Sequence, residues 1–148
     1  MNAQQVEEVI DRYVNERMQQ GKRKAAEHLV TYAYLKYAGG EVVDFLKKVR
    51  GLSRYYVNFL KLIQNPFKGP EIAWLASMVV VGIYSVILMM SEEQRMLGIL
   101  VFSGTVANAL FLLREVAKNW REIGVMIAIY NEILEIVESS LQEVVEAG

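Results

Sequence analysis

The sequence predicts an all-α protein, and three observations predict it. Only two prolines and ten glycines interrupt 148 residues. Apolar residues recur at helical spacing along most of the chain. Two uncharged runs, Ile72 to Met90 and Met96 to Leu113, are each long enough for a continuous helix, and only Ser91-Glu92-Glu93-Gln94-Arg95 separates them. A link that short makes the two helices antiparallel neighbours. The expected architecture is long N-terminal basic helices, then an apolar helical hairpin, then a C-terminal amphipathic helix. The expected division is residues 1–64 as a basic helical region, 65–70 as a turn and 71–148 as an apolar helical region.

Composition narrows the functional classes. A chain of this length can bury a real core. Its apolar content of 53% is above the ordinary level. It has no cysteine, so disulfides, thiolate metal sites and cysteine nucleophiles are excluded. The first residues, MNAQQVEEVIDRYVNER, are amphipathic and charged, unlike a signal peptide. The net charge of −1 hides an asymmetry: residues 1–70 sum to +5 and residues 71–148 to −6. Six of the eight tyrosines lie in the first 70 residues. The front is basic and tyrosine-rich; the back is apolar and acidic.

The first helix is expected from Ala3 to about Gln20, with Val6, Val9, Ile10, Tyr13 and Val14 on one face. Gly21 ends or bends it, and Lys22-Arg23-Lys24 leads into a second helix reaching Ala38. Gly39-Gly40 is the clearest break in the front half. The third helix, Glu41 to Gln64, has a stripe expected to be buried: Val42, Leu46, Val49, Leu52, Tyr56, Phe59/Leu60 and Ile63. A second face of the same helix carries Lys47, Arg50, Arg54 and Lys61, with Asn58 in the gap and Gly51 beside the row. No acidic residue follows Asp44 until Glu71. A merely solvated face usually mixes signs, so this row is a candidate polyanion surface.

Asn65-Pro66-Phe67-Lys68-Gly69-Pro70 reads as a turn. The apolar hairpin follows, with Ser91 and Gln94 at capping spacing before its second arm. Ser103, Thr105 and Asn108 interrupt that arm. Such groups usually bond a backbone carbonyl or a neighbouring helix. Asn119 and Glu122 repeat a capping spacing and predict a restart or kink. The last helix, Trp120 to about Glu146, places Ile123, Ile127, Tyr130, Leu134, Val137, Leu141 and Val144 at alternating spacings of four and three. That stripe is suited to packing on the chain's own hairpin or to a subunit contact. Ile129, Ile133 and Ile136 widen it, and Glu132, Glu135, Glu138, Glu143 and Glu146 are expected on its wet face.

The sequence shows no enzyme. One histidine, His28, cannot build a histidine-based metal site or a two-histidine relay. The Gly-rich phosphate loop, nucleophile elbow, zinc-protease motif and calcium loop are all missing. The adjacent carboxylates Glu92 and Glu93 suit a charged turn better than a catalytic pair. No cofactor and no metal is expected.

Two functions of different kinds fit what remains. In one, residues 72–90 and 96–113 are transmembrane helices, since ~20 apolar residues span a ~30 Å hydrocarbon core. Trp74 would then lie at an interface, and the basic front would keep both termini in the cytoplasm. In the other, the cationic helices wrap nucleic acid by neutralising phosphates, whatever the base sequence. The apolar helices would then be buried among subunits.

The order of a basic helical front (RYVNERMQQGKRKAAEHL, then KKVRGLSRYYVNFLK) and an apolar helical back resembles the major coat proteins of filamentous archaeal DNA viruses. That resemblance is architectural and covers most of the chain. It implies a non-enzymatic virion protein that wraps double-stranded DNA. It also implies assembly with copies of itself and a related second coat protein, and contact with a lipid envelope. On this reading Lys47, Arg50, Arg54 and Lys61 grip DNA, helped by Arg17, Lys22, Arg23, Lys24 and Lys36. Ile123, Ile127, Tyr130, Leu134, Val137 and Leu141 would join neighbouring subunits.

Overall fold

A computed structural model describes residues 3–65 and 69–146. The described residues form five helices and no strand: α1 (Ala3–Gln20), α2 (Lys22–Lys36), α3 (Gly40–Ile63), α4 (Pro70–Met90) and α5 (Arg95–Glu146). The all-α expectation is met. Residues 66–68 of the expected turn lie outside the described residues.

The chain divides into two compact units. One unit holds Met1–Lys61 together with Val125–Gly148; the other holds Leu62–Gly124. The end of the chain therefore belongs with its beginning. The expected restart at Asn119 does not occur, because α5 is helical without interruption for 52 residues. A capping spacing stops a helix only where the backbone hydrogen bonds also stop, and no glycine or proline stands between Asn119 and Glu122 to stop them.

The first unit is built from α1, α2, α3 and residues 125–146 of α5. Each contributes one apolar stripe. From α1 come Val6, Val9, Ile10, Tyr13 and Val14, all buried, as the spacing predicts. Gly21 adopts φ of 90°, a left-handed conformation that breaks the helix and suits a residue without Cβ. Beyond it α2 buries the small face Ala25, Leu29 and Ala33. On α5 the buried residues are Ile127, Ile129, Tyr130, Ile133, Val137, Ser140 and Leu141.

The buried face of α3 differs from the expected one. Val42, Leu46 and Val49 are inside, but so are Phe45, Ser53 and Val57. Leu52, Tyr56 and Leu60 are half-buried, while Phe59 and Ile63 are exposed. Aromatic packing turns the helix this way. Phe45 stacks on Tyr37 at 4.7 Å between ring centroids and meets Tyr32 at 6.2 Å. Farther along, Tyr56 stacks on Tyr130 of α5 at 5.2 Å. Such pairs add about 0.5–1.5 kcal/mol beyond the area they bury.

The second unit is the hairpin of α4 and residues 95–124 of α5. The Gln94 carbonyl accepts the first bond of α5, from the Gly98 N–H at 2.9 Å, so the cap position falls at Gln94 and not at Ser91. The least exposed positions of α4 are Leu75, Met78, Gly82, Ser85, Leu88 and Met89; those of α5 are Gly98, Val101, Thr105, Ala109, Leu112 and Val116. Both series run at spacings of three and four, so each helix gives the other one seam. The seam is tight near the turn. A Cβ added at Gly98 would lie 2.7 Å from the Met89 backbone N and 2.8 Å from the Ser85 carbonyl O.

Candidate functional site

Two surfaces carry the candidate chemistry. The first is the cationic surface of the helical cluster. Five of its nine expected residues are engaged by groups of the same chain. Arg17 donates two hydrogen bonds to Glu132, from Nε at 2.6 Å and Nη2 at 3.0 Å. Lys22 Nζ lies 3.5 Å from a Glu135 carboxylate oxygen. Arg54 donates to Glu138 at 3.3 Å. Within α2, Arg23 pairs with Glu27 at 3.1 Å, and Lys36 bonds the Tyr32 hydroxyl while sitting over that ring. Lys24, Lys47, Arg50 and Lys61 make no ion pair among the described residues.

Three glutamates of α5, Glu132, Glu135 and Glu138, thus bridge to three helices, while Glu135, Glu138, Glu143 and Glu146 stay exposed to water as the spacing predicts. They also supply the negative charge that α3 lacks locally. The helical cluster as a whole holds 11 Lys/Arg and 12 Asp/Glu, so it is not a cationic domain. Ion pairing holds the Glu132 carboxylate below the usual range, chiefly through the hydrogen bonds from Arg17. The Tyr13 hydroxyl is buried beside this pair without a well-formed hydrogen bond. Burial first, and the Glu132 charge second, raise its pKa to about 12. Tyr56 is also raised to about 12, mainly because its hydroxyl donates to Glu7 at 2.9 Å.

The proposed subunit-packing stripe is occupied internally. Ile127, Tyr130, Val137 and Leu141 are buried within their own chain, and Leu134 and Ile123 are half-buried. The ring stack on Tyr56 and the bridges to Arg17, Lys22 and Arg54 show that the front helices face this part of α5. His28 is an exposed residue whose Nδ1 lies 2.9 Å from Glu16.

The second surface is the hairpin. Between Ile72 and Leu113, 19 large apolar side chains are exposed. Only 6% of the most apolar 18-residue window of either helix is buried within the chain. Trp74 and Trp120 are both exposed. Glu71 lines one hollow together with Val116, Asn119 and Trp120, so the start of α4 and this stretch of α5 share one end of the hairpin. The opposite end is the polar turn Ser91-Glu92-Glu93-Gln94-Arg95.

Four hydroxyls of the hairpin bond carbonyls of their own helices. Ser77 donates to the Ala73 carbonyl at 2.8 Å, Ser85 to Gly82 at 2.6 Å, Ser103 to Ile99 at 2.8 Å and Thr105 to Val101 at 2.8 Å. The expectation for Ser103 and Thr105 is met. The Asn108 side chain is exposed and makes no hydrogen bond among the described residues. No family model, curated protein or solved structure matches this chain.

Proposed function

We propose that this chain is an integral membrane protein: α4 and the first part of α5 cross the bilayer as a hairpin, and the helices before and after it form a cytoplasmic domain. The observation that carries the proposal is the exposure of apolar side chains on every side of the hairpin, with only one thin seam inside. Each such side chain gains about 1.5–3 kcal/mol on leaving water, and a helix apolar all round needs an apolar surround.

The length and the polar groups suit lipid. An unbroken uncharged run of nineteen residues in α4 and one of eighteen in α5 give ~27–29 Å of helix against a core of ~30 Å. Lipid offers no hydrogen bonds, and the four hydroxyls that bond their own helices ask for none. The ends are polarised. Arg95 is the one basic residue of the turn, whereas Lys61, Lys68, Arg114, Lys118 and Arg121 flank the other end. That asymmetry keeps the open end of the hairpin, and both termini with it, in the cytoplasm. Trp74 and Trp120 stand at the same end, where aromatic side chains mark the headgroup level. The cytoplasmic domain is non-enzymatic on this reading, a helical platform held together by its own ion pairs.

The test is flotation of the purified full-length chain with phosphatidylcholine/phosphatidylglycerol liposomes after washing at pH 11. Retention in the floating fraction, with detergent required for release, supports the reading. Recovery as a dispersed soluble species overturns it.

The coat-protein reading rests on one observation, that Lys47, Arg50 and Lys61 are left without ion pairs among the described residues. It predicts DNA affinity that falls steeply with salt and is lost when Arg50 and Arg54 become Glu. Affinity that ignores salt, or that survives the double substitution, removes it.

A further inference from the structure

We propose that the face of α5 carrying Asn108 joins two copies of this chain within the bilayer, through reciprocal hydrogen bonds between their Asn108 amides. The inference rests on the membrane reading and adds a partner to it.

Asn108 is the exception in the hairpin. Ser77, Ser85, Ser103 and Thr105 each bond a carbonyl of their own helix. The Asn108 side chain is exposed and makes no hydrogen bond among the described residues. Tyr84 is also unbonded, but its single hydroxyl sits on a large apolar ring. A primary amide has two donor hydrogens and an acceptor oxygen on a short stem. Leaving it unpaired in hydrocarbon is costly. It cannot reach the headgroups, because Arg114 is six residues further along, ~9 Å of helix.

The chemistry of the amide selects the occupant. Donor and acceptor on one group make Asn self-complementary. Two copies inserted with the same topology are related by an axis along the membrane normal, which brings identical residues together at identical depth. Asn108 therefore meets Asn108 of the second copy. The surrounding face allows the approach. Gly104 lies one turn away, and a Cβ added there would meet nothing within 4 Å. Small residues at such positions let membrane helices come close enough for short side chains to bond. Leu100 and Phe111, exposed at 73% and 64%, continue the face on either side.

Charge complementarity extends the same face past the apolar run. Glu115 and Lys118 follow Asn108 and Phe111 at spacings of four and three, so they stand on the same side of α5. Neither makes an ion pair among the described residues. Across a twofold axis, Glu115 of each copy faces Lys118 of the other. This face is distinct from the Gly98, Thr105 and Ala109 seam already used against α4.

The absence of native cysteine makes the test clean. Full-length chains carrying Ser91→Cys are labelled with donor or acceptor dye and co-reconstituted into phosphatidylcholine/phosphatidylglycerol liposomes over a range of protein-to-lipid ratios. Flotation is scored on every sample. The parent chain should show saturable energy transfer. Asn108→Leu should weaken association about tenfold, whereas Asn108→Gln, which keeps the amide, should stay within about threefold of the parent. Gly104→Leu should weaken association too, by holding the backbones apart. Val80→Leu, on α4, should change nothing. A parent chain that floats but transfers no more energy than random proximity gives overturns the dimer and leaves the membrane reading standing. So does an Asn108→Leu chain that associates as tightly as the parent. A parent chain that does not float overturns both.

Discussion

The two units use the same helical backbone for opposite ends. In the first, apolar stripes from four helical segments face inward, and charged residues cover the outside and bridge the helices. In the second, apolar side chains face outward on nearly all sides, and the seam between the arms mixes small or polar residues, Gly82, Ser85, Gly98 and Thr105, with apolar ones such as Leu75, Val101 and Leu112. Within α5 both patterns occur in one continuous helix. Its residues 95–113 are apolar and exposed; residues 127–141 are amphipathic and buried on one side. A helix alone therefore does not say what surrounds it. The distribution of charge around it does.

Substitutions that treat the units differently sharpen this contrast. The largest effect is expected from Phe45→Ala, which empties a fully buried site against Tyr37 and Tyr32. The loss should be about 3–5 kcal/mol. Followed by circular dichroism in detergent, it should lower the melting of the helical cluster and spare the helicity of the hairpin. Loss of all helicity in one step would mean that the units are not separable. Next comes Val80→Arg near the middle of α4, which should cost about 2.5–3.5 kcal/mol of insertion. Membrane-fraction recovery should fall with it. Leu35→Arg, at a still more exposed site in the helical cluster, should change recovery and stability by no more than about 0.5 kcal/mol. Equal effects at the two positions would erase the distinction.

Much of the fold was legible in advance. The two arms, the polar turn, the bounds of α1 and the absence of strands follow from local spacing and from uncharged length. What the spacing could not supply was long-range pairing. The row on α3 looked like a polyanion surface because Asp44 to Glu71 contains no acid. The acid that answers Arg54, Glu138, arrives from the other end of the chain, as do Glu132 and Glu135 for Arg17 and Lys22 on the first two helices. The same return explains the last helix. Its stripe was suited by spacing to the hairpin or to a subunit contact, and what packs against it are the front helices, Tyr56 of α3 among them. The exposure of the hairpin, which favours lipid, is likewise invisible to composition, because a buried core helix has the same residues.

Smaller effects probe the pairing itself. Glu132→Gln should cost about 1–2 kcal/mol, since a charged hydrogen-bonded pair is worth that much when only part-exposed. The pH dependence has a definite sign. The lowered pKa of Glu132 means that its contribution is present above 4.5, the ordinary glutamate value, and is lost as pH falls through the lowered value. Acid unfolding of Glu132→Gln should be correspondingly shallower. At the other limit, Tyr13 and Tyr56 are raised from 10.0 to about 12. Their contribution is present below pH 10.0 and is lost as pH rises through about 12. The mildest change is Tyr13→Phe, which removes a buried hydroxyl lacking a well-formed bond. It should be neutral or stabilising by up to about 1 kcal/mol and should reduce the alkaline loss.

The most direct measurement is the sidedness of two single cysteines in intact cells expressing the full chain. Ser91→Cys lies in the turn of the hairpin, and Ser139→Cys lies on an exposed position of α5 in the helical cluster. A membrane-impermeant maleimide should label Ser91→Cys from outside and should label Ser139→Cys only after lysis. Labelling of both from outside, or of neither until lysis, would contradict a hairpin that crosses the bilayer with its helical domain in the cytoplasm.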